Sequence, residues 1–276
     1  MNEDLPAASI RVPCIVRRND ALSDSSRIIP EETPIAFTYG GSTHAVMMAT
    51  PADLEDFSIG FALTEGLIDS IDEAGDFEIV ASEAGIELRS WLAGGRQEVY
   101  AARKRSMAGP TGCGLCGIES LEQASRPLPV LANALRVSST ALVAAMDRLP
   151  GAQMLNRETR AVHAAAFWAP ESDALIVRED VGRHNALDKL AGALARQRLP
   201  AAQGVVLMTS RISVELVQKA ARIGAPIIAA VSAPTALAVR TAEKCGMTLV
   251  AVVRGRDFEI FTHPERILEQ VSTHVA

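Results

Sequence analysis

Aromatic residues are scarce: seven Phe, two Tyr and two Trp in 276 residues, although nearly half of the chain is apolar. A core made mainly of Ala, Val, Ile and Leu suits helices packed closely on a sheet better than an aromatic-rich sandwich, which points to an α/β protein. An excess of basic charge is also lacking. With 27 Lys and Arg against 33 Asp and Glu, the formal net charge is -6. No overall field favours a nucleic-acid polymer, and any anion site has to be local. Nowhere do about 18 consecutive apolar residues occur that could span a bilayer. The opening Met1-Asn2-Glu3-Asp4-Leu5-Pro6 has no basic stretch followed by an apolar one, so a cytoplasmic protein without a membrane partner is expected. Only four cysteines are present. Cys14 and Cys245 each stand alone in apolar surroundings and read as ordinary buried cysteines, which excludes a secreted disulfide framework.

The other two cysteines carry the chemistry. Thr111-Gly112-Cys113-Gly114-Leu115-Cys116-Gly117 sets two thiols two residues apart among glycines. Such a pair can form a disulfide, share a metal ion or hand on a sulfur atom as a persulfide. A thioredoxin-type site follows a strand and opens a helix, a context missing here. Zinc needs about four ligands, so His163 or His184 would have to complete the set. His163-Ala164-Ala165 is close to the His-x-Glu of zinc deaminases, but Ala165 stands where the general acid/base glutamate belongs, and the cysteine pair lies upstream. Deamination is excluded. Sulfur transfer uses what is present. A Cys113 thiolate can take the outer sulfur of a donor persulfide, with Cys116 displacing it or assisting. Arg103, Lys104 and Arg105 stand ready to lower the thiol pKa. Sulfur transfer is favoured, with zinc and redox readings left open.

The remaining pattern divides the chain into an N-terminal α+β domain (1–106), a glycine-rich cysteine loop (107–130) and a C-terminal α/β domain (131–276). The first domain is expected to hold a strand from Ile10 to Arg17, a polar stretch from Asn19 to Arg27, and a hairpin of Ile35–Tyr39 and His44–Met48 turning at Gly40-Gly41. A helix follows, capped by Thr50 and ending near Gly66. Short strands are expected over Phe77–Ala81, Ile86–Leu92 and Gln97–Ala102. In the second, a helix from Ser139 to Met146 precedes strands His163–Trp168 and Ala174–Val177. Strands at Val205–Met208, Ile227–Val231 and Leu249–Val253 then alternate with helices, and Phe258–Phe261 runs back. This alternation predicts a mostly parallel sheet, whose ligands bind where the strands' carboxyl ends meet the helix N-termini. Those loops hold Asp180, Arg183, His184, Thr209, Ser210, Arg211, Ser232, Thr235, Arg254 and Arg256. Guanidinium groups beside free helix N–H donors suit an anionic, phosphorylated ligand.

The quoted stretches resemble a known family. Thr50-Pro51-Ala52-Asp53-Leu54-Glu55-Asp56-Phe57, Cys113-Gly114-Leu115-Cys116-Gly117, Glu179-Asp180-Val181-Gly182-Arg183-His184-Asn185-Ala186-Leu187-Asp188-Lys189, Ser232-Ala233-Pro234-Thr235 and Val253-Arg254-Gly255 are similar to the FdhD-type formate dehydrogenase accessory sulfurtransferases, over about Thr33 to Thr262. The resemblance implies a cytoplasmic homodimer that takes sulfur from a cysteine desulfurase and delivers it to the molybdenum of a bis-molybdopterin guanine dinucleotide cofactor, which the client formate dehydrogenase requires. It implies a cytidine-deaminase-like, three-layer C-terminal domain without that enzyme's zinc site. By position, Cys113 matches the persulfide-bearing cysteine, Cys116 its companion, and Val252-Val253-Arg254-Gly255-Arg256-Asp257 a cofactor-binding turn. Arg183, His184, Arg211, Ser232 and Thr235 complete the expected ligand contacts, with GDP as a partial mimic of the cofactor. The chain has Thr209-Ser210-Arg211 where the family usually has a glycine before the arginine, so a role that needs glycine there does not carry over.

Overall fold

The computed structural model describes residues 5–93, 95–98, 100, 127–132 and 135–269. Cys113, Cys116, the basic triplet Arg103, Lys104 and Arg105, and nearly all of the expected cysteine loop lie outside the described residues.

The chain opens with a ribbon of β1 (Ser9–Arg18) and β2 (Ala21–Pro30), paired antiparallel along their whole length. Asn19 and Asp20 both take positive φ, as a tight two-residue hairpin turn requires, so the expected polar loop is instead a second strand. Ile15 and Leu22 are more than two-thirds exposed on this ribbon, and Cys14 is only half-buried, contrary to its reading as a core residue.

The first layered unit is a sheet ordered β4-β3-β6-β5. It comprises β3 (Thr33–Tyr39), β4 (Ser42–Ala49), β5 (Asp76–Ser82) and β6 (Gly85–Trp91). The β3–β4 hairpin turns at Gly40 and Gly41, both at positive φ, as expected. On this sheet lies α1 (Leu54–Thr64), with Phe57 and Phe61 both against Phe37. Thr50 does not cap α1. Asp53 occupies the cap position in a left-handed conformation and makes no side-chain cap bond, while Thr50 is engaged elsewhere. The described part of the expected strand Gln97–Ala102, residues 97, 98 and 100, is helical.

The second unit is a six-stranded sheet ordered β13-β12-β11-β10-β8-β9. Its strands are β8 (His163–Ala169), β9 (Ala174–Asp180), β10 (Val205–Met208), β11 (Ile227–Ala230), β12 (Thr248–Arg254) and β13 (Asp257–Thr262). Neighbours β10, β11 and β12 pair in parallel, but the β12–β13, β10–β8 and β8–β9 pairs are antiparallel. The sheet is therefore mixed, not mostly parallel, because hairpins rather than crossovers add its flanking strands. Side-chain alternation splits the strands between two cores. Val206, Met208, Ile228 and Ala230 pack beneath α4 (Arg183–Arg196), α5 (Val214–Arg222) and α6 (Ala236–Cys245). Val205, Leu207, Ile227 and Ala229 meet α2 (Ser139–Ala152) on the other face. Helix α2 runs past the expected end at Met146 to Ala152, tolerating Pro150 in its last turn. After it come α3 (Met154–Thr159) and, beside the sheet, the short parallel pair β7 (Val137–Ser138) and β14 (Ile267–Leu268).

The two units meet along α1 and α4 at two reciprocal glycines. A Cβ at Gly60 would stand 1.7 Å from the Asp188 carbonyl oxygen, and one at Gly192 would stand 1.8 Å from that of Asp56. Only glycine fits a backbone approach this close. Charged groups buried along the seam are paired. Asp56 accepts from Arg178 at 2.7 Å and from Arg196 at 2.8 Å. Lys219 reaches Asp188 and Glu65, each at 2.9 Å. Burial opposes charge on Lys219, but these carboxylates outweigh it and hold the ammonium well above its ordinary pKa.

Candidate functional site at the strand ends

Strands β9, β10, β11 and β12 all point the same way, since β8 is antiparallel to both β9 and β10. Their carboxyl ends therefore share one edge of the sheet. Helices α4, α5 and α6, which follow β9, β10 and β11, bring three N-termini to that edge, each with unpaired backbone N–H groups and a positive dipole end.

The run from Glu179 to Lys189 divides its side chains between this edge and the seam. Asp180 is fully buried. One of its oxygens accepts from Gly182 N–H at 2.7 Å and Asn185 Nδ2 at 2.9 Å. The other accepts from Thr50 N–H at 3.0 Å and Lys189 Nζ at 2.7 Å. Lys189 also donates to the Thr50 carbonyl at 2.8 Å, and Asn185 to the Met48 carbonyl at 2.9 Å. Asp180, Asn185, Asp188 and Lys189 are thus spent on joining the two units. Asp180 also fixes the turn into α4 through the bond from Gly182 N–H.

Arg183 and His184 form the first turn of α4 and face the edge. The buried Nε of Arg183 has no hydrogen-bond partner among the described residues. A buried donor left in this state costs free energy comparable to a lost hydrogen bond, so it is informative. His184 Nε2 lies 2.8 Å from Glu215 on α5 and 3.2 Å from the Ser213 hydroxyl. The bond to His184 is the main cause that lowers the Glu215 pKa. Arg211 is exposed between β10 and α5. Ser210 is buried, donates to the Arg211 carbonyl at 3.0 Å and does not have positive φ, so this backbone has no need of the missing glycine.

Farther along the edge, Thr235 caps α6 by accepting from Ala238 N–H at 3.2 Å. Its own N–H donates to the Ile212 carbonyl at 2.9 Å, which ties this loop to the one carrying Arg211. The Ser232 carbonyl accepts from Val252 N–H at 3.5 Å. Val252 has φ of 55°, a strained conformation for a β-branched residue and of the kind that collects at ligand sites. Val253 is buried, whereas Arg254, Gly255, Arg256 and Asp257 form the exposed β12–β13 turn. Three strand spacings, about 14 Å, separate β12 from β8. The structure thus gathers Arg183, His184, Ser232, Thr235 and the Val252–Asp257 turn along one edge, in a row rather than a single cluster.

Ser213 and Glu215 were not legible as site residues, because their role depends on where α5 begins relative to α4. From the sequence, His163 reads only as a candidate zinc ligand. Its place at the start of β8, opposite Asp180, brings it to the same edge. Among the described residues no helix is long and apolar enough to cross a membrane.

These features define a class: a two-unit α/β protein with a row of cationic and helix-end donors along its strand ends. The model of the FdhD/NarQ family matches residues 30–268, and the chain belongs to that family. The sulfur carrier protein FdhD of Agrobacterium fabrum (strain C58 / ATCC 33970) is 54% identical over 259 residues, which cover 94% of this chain and 96% of the relative. The protein of the same name from Bordetella petrii is 47% identical over 247 residues, 90% of this chain and 88% of its own. A crystal structure of a Desulfotalea psychrophila protein assigned to the formate dehydrogenase accessory proteins superposes with a TM-score of 0.75 at 27% identity, covering 95% of this chain and all of that one.

Proposed function

We propose that the chain is a cytoplasmic sulfur carrier that serves formate dehydrogenase. Cys113 attacks the persulfide of a cysteine desulfurase, forms a new S–S bond with its outer sulfur and releases the donor's thiolate. Cys116 assists the onward transfer. The acceptor is the molybdenum centre of a bis-molybdopterin guanine dinucleotide, held as a substrate along the strand ends of a cytidine-deaminase-like domain, in a protein that works as a homodimer.

The observation that carries the nucleotide half of this reading is the buried, unpaired Arg183 Nε in the first turn of α4, on the edge that three helix N-termini share. Such a donor set suits phosphate oxygens. The row of groups from Arg183 to Arg254 and Arg256 also suits an elongated ligand with more than one anionic group. The names of the relatives support the sulfur half.

Two experiments separate carrier from mere cofactor chaperone. After incubation with a cysteine desulfurase and cysteine, mass spectrometry of the intact chain should show one added sulfur, absent from Cys113→Ala. A variant that retains as much sulfane sulfur as the wild type would leave only a binding role. GDP should bind saturably, about tenfold more weakly after Arg254→Ala, the loss of one charge-assisted contact. Absence of binding at millimolar GDP would remove the guanine assignment.

A further inference from the structure

His163, at the start of β8 and opposite Asp180, stands at the strand-end edge. Alternate residues of β8, Ala165 and Phe167, face the core beneath α4. The pleat therefore turns His163 to that same side, toward the first turn of α4. The imidazole is half-buried and has no hydrogen-bond partner among the described residues. Around it stand Asp180 on β9 and Arg183 and His184 on α4, and His184 is itself bonded to Glu215 on α5. Both Asp180 oxygens are already taken, by Gly182, Asn185, Thr50 and Lys189. Glu215 is engaged by His184. Burial first, and then the Arg183 charge, depress the His163 pKa. A neutral imidazole thus stands near a guanidinium whose inner N–H is unspent. The Arg183 charge repels a metal cation at this position and attracts an anion.

Resting on the nucleotide reading above, we propose that His163 and Arg183 contact the ligand's pyrophosphate together, and that His163 takes up a proton as the ligand binds. A dianion against Arg183 cancels the field that opposes charge on His163, and an imidazolium donates from both ring nitrogens where the neutral ring keeps a lone pair on one of them. The linkage has one sign. The bound-state pKa lies above the free one, so binding is strongest at low pH and weakens as pH rises through the bound-state value.

The probe is a guanosine diphosphate sugar, whose pyrophosphate diester lacks the terminal phosphate that titrates near a pKa of about 6 and would mask the histidine. Calorimetry of the full chain across neutral pH, in two buffers of different ionisation enthalpy, should show uptake approaching one proton per chain. Affinity should fall with rising pH, at a limit of about tenfold per unit. In His163→Gln the uptake should vanish and the affinity should become flat with pH. Arg183→Gln should bind weakly at every pH. Independently of any variant, the imidazole resonances of the wild type should include one whose pKa rises on binding. Binding by the wild type without proton uptake, or an unchanged pH slope in His163→Gln, overturns the proposal. Failure of the wild type to bind any guanosine diphosphate compound overturns the nucleotide reading itself, and this inference with it.

Discussion

The seam between α1 and α4 and the strand-end edge are built from the same eleven-residue run, Glu179 to Lys189, yet they treat polar groups in opposite ways. On the seam, Asp180 accepts four hydrogen bonds and Lys189 donates two, all with groups fixed in the fold. At the edge, two positions past Val181, Arg183 buries a donor with nothing to receive it. A saturated polar group is a structural statement, because removing its partner leaves a buried charge uncompensated. An unsaturated one costs stability in the free protein and is retained where a ligand completes it. One motif thus contains both the clasp that joins the units and the contact that we assign to the ligand.

Three substitutions probe this difference, in order of falling effect. Lys219→Met strips Asp188 of its counter-ion and should destabilise the protein by about 3–5 kcal/mol in urea unfolding, with a part regained when Asp188 is also made apolar. Arg183→Leu should lower the unfolding free energy in urea by no more than about 0.5 kcal/mol, since the buried Nε has no bond there to lose, while nucleotide affinity falls at least about tenfold. A large stability loss here would mean that Arg183 belongs with the clasp. Ile15→Ser on the exposed ribbon should change stability by less than about 0.5 kcal/mol, measured in the same way, because the side chain is 70% exposed.

What the sequence makes legible follows from the range of the forces involved. The strands and helices from His163 onward are readable because apolar periodicity and glycine stops at Gly224 and Gly246 are local signals, and both glycines do take positive φ. Strand β2 escapes because most of it is exposed and its pairing to β1 requires no apolar alternation. Thr50 misleads because a Thr-Pro pair before a helix is a good local cap signal, while its real partners, Asp180, Val181 and Lys189, lie some 130 residues away. The mixed sheet escapes for a related reason: β8, β9 and β13 look locally like any other strand, and only pairing sets their direction. In the site, Arg183 and His184 are legible as residues of a run that resembles a family. The division of that run between seam and edge is not, for it depends on which face of α4 each side chain occupies.

Helix α4 bears one more consequence. Its first turn carries Arg183, and Gly192, nine residues on, sits against the backbone of α1. At 1.5 Å of rise per residue the two points are about 14 Å apart on one stiff rod. With no side chain at Gly192 to cushion the crossing, a ligand that shifts the first turn must either bend the rod or slide α1 with it. A shift of the first turn that left the rod straight would carry the N-terminal unit with it, as the handle and bolt of a latch cut from one bar move together.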